Sequence, residues 1–202
     1  IGVISVICVP FLCMRLPYLV HHTERVLGTK RAIIPQHCSV ILAQRAPSEP
    51  MIDLTTLADF LAPDGSLRDI YVLGTGLEDW DRVLTSLTSR YTTVEYWGDG
   101  RTRSSLPKAE TIFAFRQQTS PLLRVTLNGV ILQCHFFTPD EIEFDFVPKE
   151  IDTPERLQAL LEFVETLGQS TGKTVVVTLE NHPEWAFLRY DPHRAAMEQV
   201  HA

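Results

Sequence analysis

Cysteine is scarce in most of this 202-residue sequence, which contains four cysteines in all. Three of them, Cys8, Cys13 and Cys38, lie in the first fifty residues, and only Cys134 follows Met51. A lone cysteine excludes a disulfide framework within the C-terminal part of the chain. We therefore expect Cys134 to be a reduced, buried thiol and the domain to be cytoplasmic.

Basic residues are also few after position 50, where thirteen lysines and arginines stand against twenty-three aspartates and glutamates. Nucleic acids and anionic membranes are bound largely through Lys and Arg, so this balance argues against both classes of partner. It is compatible with a protein partner of basic character. We therefore predict contact with a protein, no nucleic-acid binding, and no membrane contact by residues 51–202.

A hydrophobic run long enough to cross a membrane is absent. The apolar stretch of residues 1–14 contains Pro10 and is followed by Arg15 and Pro17, which end it short of the roughly 20 residues that a spanning helix needs. Residues 21–50 keep neither a helical nor a strand period for long, and we predict that residues 1–50 are an N-terminal extension that is disordered or foreign to the fold. A strand-bearing part of the fold and a membrane or export segment are the alternatives. Residues 51–202 should form a single domain.

Common catalytic signatures are absent as well. The sequence has no Gly-x-Ser-x-Gly, no His-Glu-x-x-His and no Walker loop. Gly74-Thr75-Gly76 lies between a strand pattern and a helix pattern, but Asp79 stands where a dinucleotide fingerprint has its third glycine. This triplet therefore predicts a plain turn into a helix. We expect no cofactor, and we favour a protein that is not an enzyme.

What the sequence does contain is a strong hairpin signal at Asn128-Gly129. Both residues tolerate the positive φ angles of a type I′ turn, and alternating runs flank them. The predicted register pairs Leu127 with Val130, Val125 with Leu132, and Leu123 with Cys134 on an apolar side. Arg124 with Gln133, Thr126 with Ile131, and Leu122 with His135 form a mixed side.

The next run, residues 141–146, alternates with a period of two. One face carries three apolar side chains and the other carries three carboxylates, which are Glu141, Glu143 and Asp145. Carboxylates two apart on a strand lie roughly 6 to 7 Å from one another and repel unless they are screened. Three interpretations stay open: a solvated face partly balanced by Arg124 and Arg116, a docking surface for a basic partner, and a divalent-metal or acid/base site.

The metal interpretation would use Asp140, Glu143 and Asp145 as ligands, with His135 on the neighbouring strand. Pro139-Asp140 followed by Glu143 and Asp145 only superficially resembles the Pro-Asp, Asp/Glu-x-Lys pattern of a nuclease superfamily. The lysine is absent where that pattern needs it, and the acids are too close together in the sequence.

The remaining patterns define the predicted fold. Helices are predicted for residues 54–61, 77–89, a short segment after Ser105, 154–168 and the tail after Pro192; strands are predicted for residues 68–73, 91–97, 122–127, 130–137, 141–146, 173–179 and 185–190. Gly168 is the predicted stop of the longest helix. A block of three hairpin-connected strands favours an α+β domain, a mainly antiparallel sheet with helices packed on one face.

Tyr96-Trp97, next to the Gly98-Asp99-Gly100 loop, is a further candidate contact, since large amphipathic rings often anchor interfaces. The alternative is one core ring and one ring that shields a sheet edge. Taken together, these features predict a small, acidic, non-catalytic protein, an inhibitor or immunity-type protein for a basic partner, whose binding face includes Glu141, Glu143, Asp145, His135 and Arg124. A divalent-metal-dependent hydrolase that uses the carboxylates of residues 140–145 is the rival hypothesis.

Overall fold

The computed structural model describes residues 52–98, 102–103, 105–116 and 118–200, with residues 102–103 described by their backbone alone. The predictions for residues 1–50 therefore lie outside the described residues. The helices are α1 (Ala58–Leu61), α2 (Leu77–Arg90), α3 (Ala109–Phe115) and α4 (Pro154–Thr171). The strands are β1 (Arg68–Leu73), β2 (Val94–Trp97), β3 (Thr102–Arg103), β4 (Leu122–Leu127), β5 (Val130–Cys134), β6 (Glu141–Phe146), β7 (Val175–Leu179), β8 (Ala186–Asp191) and β9 (Ala196–Gln199).

The strands form one sheet in the order β3-β2-β4-β5-β6-β1-β7-β8-β9. Every pairing within it is antiparallel. Strand β1 comes early in the chain but lies between β6 and β7, near the middle of the sheet. The predicted α+β class, with a mainly antiparallel sheet and helices packed against it, is confirmed.

The central hairpin has the predicted register, but β5 ends at Cys134 and the predicted pair of Leu122 with His135 is not part of the ladder. Leu127 pairs with Val130, Val125 with Leu132, and Leu123 with Cys134. The turn residues Asn128 and Gly129 have φ angles of 48° and 87°, which is the left-handed region that a type I′ turn requires. The inward side chains of both strands are buried, so the hairpin contributes a continuous apolar surface to the core.

Helices and strands share one hydrophobic core on one side of the sheet. Its inward side chains from β1, β4, β5, β6, β7 and β8 pack with apolar residues of all four helices, including Phe60, Trp80, Ile112 and Phe163. Helix α4 contacts β1, β4, β7 and β8. Because residues alternate across a strand, every second side chain of these strands lies on the opposite face. We call that opposite face, which none of the described helices covers, the open face.

Helix α4 is longer than its sequence pattern predicts. It begins after Thr153, whose Oγ1 accepts a hydrogen bond from Arg156 N, and it ends before Gly172, which has a φ of 69°. The predicted stop at Gly168 is wrong because this glycine lies inside the helix, against the ring of Tyr190. Its missing side chain is needed for close packing of the helix on β8.

Other boundaries also differ from the prediction. Helix α1 forms only over Ala58–Leu61, while the preceding residues form a turn. Strand β2 begins at Val94 rather than at Tyr91. The tail is not a helix, because β9 pairs antiparallel with β8, with Met197 opposite Tyr190. Pairing with β8 gives the backbone N–H and C=O groups of this segment hydrogen-bond partners. The sequence pattern alone does not identify the segment as a strand.

Candidate functional site

The open face carries most of the polar strand residues. Strand β6 contributes alternate carboxylates, and β1 on one side and β5 on the other contribute their outward side chains. Its outward residues on the central strands are Asp69, Tyr71, Leu73, Arg124, Gln133, Glu141, Glu143, Asp145, Val176 and Thr178. The charged residues among them are concentrated on β1 and β6.

Pairing of β1 with β6 brings two further polar residues beside the acidic strand. Asp69 lies opposite Asp145, and Tyr71 lies opposite Glu143. Like charges directly opposite each other on neighbouring strands destabilise a sheet. The sheet therefore contains a local concentration of negative charge that sequence reasoning on β6 alone underestimates.

These residues line a cavity of about 510 Å³, which we call the acidic cavity. Five carboxylates contribute to its wall, together with Tyr71 and the rings of His135 and Phe137. The carboxylates are those of Asp69, Glu141, Glu143, Asp145 and Glu180. His135 Nε2 lies 3.9 Å from Asp145 Oδ2. The site is thus concave and strongly acidic, and an imidazole stands at one side of it.

Two of the five carboxylates also hold the surrounding loops. Asp69 Oδ2 accepts hydrogen bonds from the hydroxyl of Tyr71 at 2.9 Å and from Asn181 N at 2.7 Å. Glu180 Oε2 accepts one from Leu67 N at 3.0 Å. These bonds fix the loop after β7 at the rim of the acidic cavity. Asn181 itself has a positive φ of 62°, a conformation that asparagine tolerates better than most residues.

The electrostatics of the acidic cavity disfavour full ionisation. Burial, and then the charge of Asp69, raises the pKa of Glu143 to about 7. Burial also raises the pKa of Asp145 to about 6, although His135 acts in the opposite direction. The pKa values of Asp69 and Glu141 are raised too, mainly by burial. A raised carboxyl pKa means that the surroundings stabilise the neutral form over the charged one.

Tyr71 occupies the centre of this cluster. Burial, followed by its hydrogen bond to Asp69 and the charge of that carboxylate, raises the pKa of the phenol. The hydroxyl therefore stays protonated at neutral pH and remains a donor to Asp69. Its role in the fold is to stabilise the most deeply buried carboxylate of the cavity.

The structure brings together four of the predicted site residues, Glu141, Glu143, Asp145 and His135, which all line the acidic cavity. Arg124 lies elsewhere on the open face. Its guanidinium stands over the ring of Trp97 at 5.0 Å, and its Nη2 is 3.5 Å from Gln133 Oε1. Arg124 therefore belongs to a neighbouring part of the same face rather than to the cavity.

The aromatic pair of β2 is divided between the two faces of the sheet. Tyr96 is only 2 % exposed and belongs to the core, whereas Trp97 is half-buried and contacts Arg124 on the open face. Of the predicted loop contact, only Trp97 is available to a partner in this conformation. Both residues belong to β2 itself rather than to the loop after it.

The metal-site prediction concerned Asp140, Glu143 and Asp145. Asp140 lies in the exposed turn before β6, where its carbonyl accepts a hydrogen bond from Thr75 N, and it is not part of the wall of the acidic cavity. In the part of the chain that the structure describes, no group of three or more His, Cys, Asp or Glu residues is arranged to hold a metal ion.

Sequence reasoning missed Asp69, Tyr71, Glu180 and Asn181 as site residues. The available signal was an aspartate directly before the apolar run of β1, since a charged residue in a central strand needs a special environment. Glu180 and Asn181 carry no such signal, because polar residues shortly before Pro183 are typical of an ordinary turn. Only the pairing of β1 with β6 and β7 brings all four residues to the same place.

Comparison with known proteins identifies no family for this chain. No family model and no curated protein sequence matches it. A chain from the crystal structure of the toxic C-terminal tip of CdiA from Pseudomonas aeruginosa, in complex with its immune protein, matches with 14% identity and a TM-score of 0.41. The match covers 61% of this chain and 94% of that chain. A similarity this weak does not establish a shared function.

None of the helices in the described ranges is long and apolar enough to span a bilayer.

Proposed function

We propose that this chain is a non-catalytic protein that binds another protein through its open face, and that the acidic cavity receives a basic side chain of that partner. An inhibitor or immunity-type protein, which occupies a basic site of its target, fits this description. The observation that carries the proposal is the convergence of five carboxylates on one concave surface of the open face, near the middle of the sheet.

The charges of the acidic cavity support a cationic ligand. In the free protein burial raises the pKa values of Glu143 and Asp145, so their surroundings disfavour the charged form of both carboxyl groups. A lysine ammonium or an arginine guanidinium within a few ångströms favours the charged form of a carboxylate and lowers its pKa. Binding of a basic side chain therefore relieves an unfavourable interaction that exists before the partner arrives.

The surroundings of the cavity support a protein partner rather than a free cation. Leu73 and Phe137 are large apolar residues that border the acidic residues and are 49% and 45% exposed. Protein interfaces combine apolar or aromatic anchors with charged groups that steer the encounter. The mixture of exposed apolar side chains and carboxylates on one face has the composition of such an interface.

The rival hypothesis of a metal-dependent hydrolase has less support. It requires several carboxylates or histidines to converge on one ion, and no such group occurs among the described residues. No other observation favours catalysis over binding, so binding is the better-supported function.

Site-specific photocrosslinking tests the proposal. A photoreactive amino acid in place of Leu73 probes the open face. The same photoreactive amino acid in place of Glu162, which is exposed on α4, probes the helical side as a matched control. In cells that express the chain, we expect a crosslinked protein from position 73 alone, with lysine or arginine in the crosslinked segment. Crosslinks from position 162 alone, or a contact segment without basic residues, would contradict the proposal.

Charge-neutral variants then test the cavity itself against the purified partner. The double variant Glu143→Gln, Asp145→Asn should weaken binding by about tenfold or more and reduce its salt dependence, since removal of desolvated charges at an interface costs at least about 1.4 kcal/mol. Glu162→Gln should leave the affinity unchanged. Equal binding by both variants would show that the acidic cavity is not the contact surface.

A further inference from the structure

A second cavity of about 610 Å³ adjoins the acidic cavity. It lies between the end of α3 and the segment after β5, and its wall includes Phe113, Arg116, Ser120, His135, Phe137 and Pro139. We call it the basic cavity, because Arg116 is its permanent charge and none of its described lining residues is acidic. His135 adds a second positive charge when it is protonated.

The two cavities share one wall. His135 and Phe137 line both of them. The two rings stack with their centroids 5.6 Å apart, and the Arg116 guanidinium stands 5.8 Å from the centroid of Phe137. Phe137 is therefore an exposed aromatic ridge, that is, a ring that separates the carboxylates of the acidic cavity from the guanidinium of Arg116.

Opposite charges on the two sides of this ridge restrict the chemistry of an occupant. A purely basic segment would place a cation beside Arg116, and a purely acidic one would place a carboxylate among five others. Like-charge contacts of this kind reject wrong partners. Only a segment that carries both signs of charge, spaced to span the stacked rings of His135 and Phe137, meets complementary charge in both cavities.

We propose that the partner is a polypeptide segment that straddles Phe137, with a lysine or arginine in the acidic cavity and an aspartate or glutamate in the basic cavity beside Arg116. This inference rests on the proposed function, and it adds the identity of the second contact. The ring of Phe137 supplies the apolar anchor between the two ion pairs, as buried aromatic residues do at other interfaces.

Defined peptides test this inference on the full chain by NMR. The probes are acetylated, amidated peptides with lysine at one end, glutamate at the other and a glycine spacer of increasing length, because each extended residue spans at most about 3.6 Å. Matched peptides carry glutamine in place of glutamate, or alanine in place of lysine. At the best spacing, the Lys–Glu peptide should bind about two- to fivefold more tightly than the Lys–Gln peptide, which is the range of an exposed ion pair.

Two variants locate the contacts. Phe137→Ala should remove the difference between the Lys–Glu and Lys–Gln peptides, whereas Phe115→Ala should keep it, since Phe115 is equally exposed at 45% but is not part of either cavity wall. Arg116→Gln should also abolish the advantage of glutamate while binding of the lysine end persists. Amide shifts should appear at Ser120 and Phe137 with the Lys–Glu peptide.

The outcomes separate the two proposals. If the Lys–Gln peptide binds as tightly as the Lys–Glu peptide, with shifts confined to the acidic cavity, the straddling inference is overturned and the proposed function stands. If the peptide with alanine in place of lysine binds as tightly as the Lys–Glu peptide, the acidic cavity is not a cation site. That result overturns both proposals, as does an absence of shifts with every peptide.

Discussion

Replacement of Glu143 by glutamine should stabilise the protein at pH 8 and change its stability little at pH 4. Glutamine has nearly the shape of the protonated acid, so the variant removes the negative charge and keeps the packing. The pKa of Glu143 in the folded protein is about 7, compared with an ordinary value of 4.5. The native state therefore binds this proton more tightly than the unfolded state, and stability is lost as the pH rises from the lower value through the higher one.

The expected magnitude can be calculated from that shift. A change from 4.5 to about 7 corresponds to at most about 3.5 kcal/mol at roughly 1.4 kcal/mol per unit of pKa. Glu143 is only half-buried, and solvent screens part of the interaction. We therefore expect Glu143→Gln to raise the free energy of unfolding by about 1 to 2 kcal/mol at pH 8. At pH 4 the wild-type side chain is already neutral in the folded state and mostly neutral in the unfolded state, so the difference should nearly vanish.

Urea denaturation followed by tryptophan fluorescence at pH 4 and pH 8 measures this difference. Glu95→Gln is the matched control, because Glu95 is an exposed glutamate on β2 of the same sheet. The control should shift the unfolding midpoint little at either pH. An unchanged or lower stability of Glu143→Gln at pH 8, or an equal gain at both pH values, would refute the reasoning about the acidic cavity.

Three further substitutions test other parts of the structure. Tyr71→Phe removes a donor to buried Asp69 and should cost about 1 to 3 kcal/mol at pH 8, measured by urea denaturation; a neutral result would mean that this hydrogen bond is not formed. Arg68→Met removes a side chain that is 1% exposed and donates to three backbone carbonyls. It should lower the free energy of unfolding by about 3 kcal/mol or more, visible as a lower melting temperature. An unchanged melting temperature would contradict the described burial. Gly168→Ala should destabilise the protein by about 1 to 3 kcal/mol despite the better helix propensity of alanine, because the added methyl group collides with Tyr190; a stabilised variant would contradict the described packing of α4.

Repulsion between the carboxylates of the acidic cavity destabilises the folded state, and interactions elsewhere in the fold compensate for it. Groups whose pKa values are strongly displaced occur most often at functional sites, although structural networks also displace them. Here the affected carboxylates line a cavity on the open face, which no described helix covers, and the hydrophobic core lies on the other side of the sheet. A gain in stability on neutralisation, combined with a loss of binding, is the expected behaviour of a site kept for contact rather than for folding.

Local patterns were sufficient for part of the fold. The Asn128-Gly129 turn and its flanking alternation determine the register of β4 and β5, and the period of two in β6 determines which of its side chains are buried. These predictions hold because the interactions involved are close in sequence and the turn chemistry is specific. Non-local contacts were beyond such reasoning.

The position of β1 in the sheet illustrates that limit. No local signal indicates that β1 lies between β6 and β7, so the pairing of Asp69 with Asp145 could not be predicted, and neither could the acidic cavity. Gly168 was misinterpreted for the same reason, since its contact with Tyr190 depends on the packing of α4 on β8. The alternation of acidic residues along β6 was visible in the sequence, but their concave surroundings depend on tertiary structure.

The most direct test of the binding account is an NMR titration of the side-chain carboxyl groups of Glu143 and Asp145, with and without a saturating acetylated, amidated lysine peptide. If a cation occupies the acidic cavity, the pKa of Glu143 should fall from about 7 towards 4.5, and by linkage the peptide should bind more tightly at pH 8 than at pH 5. Unchanged carboxyl pKa values, together with an affinity that does not depend on pH, would contradict the central claim that this face binds a basic partner.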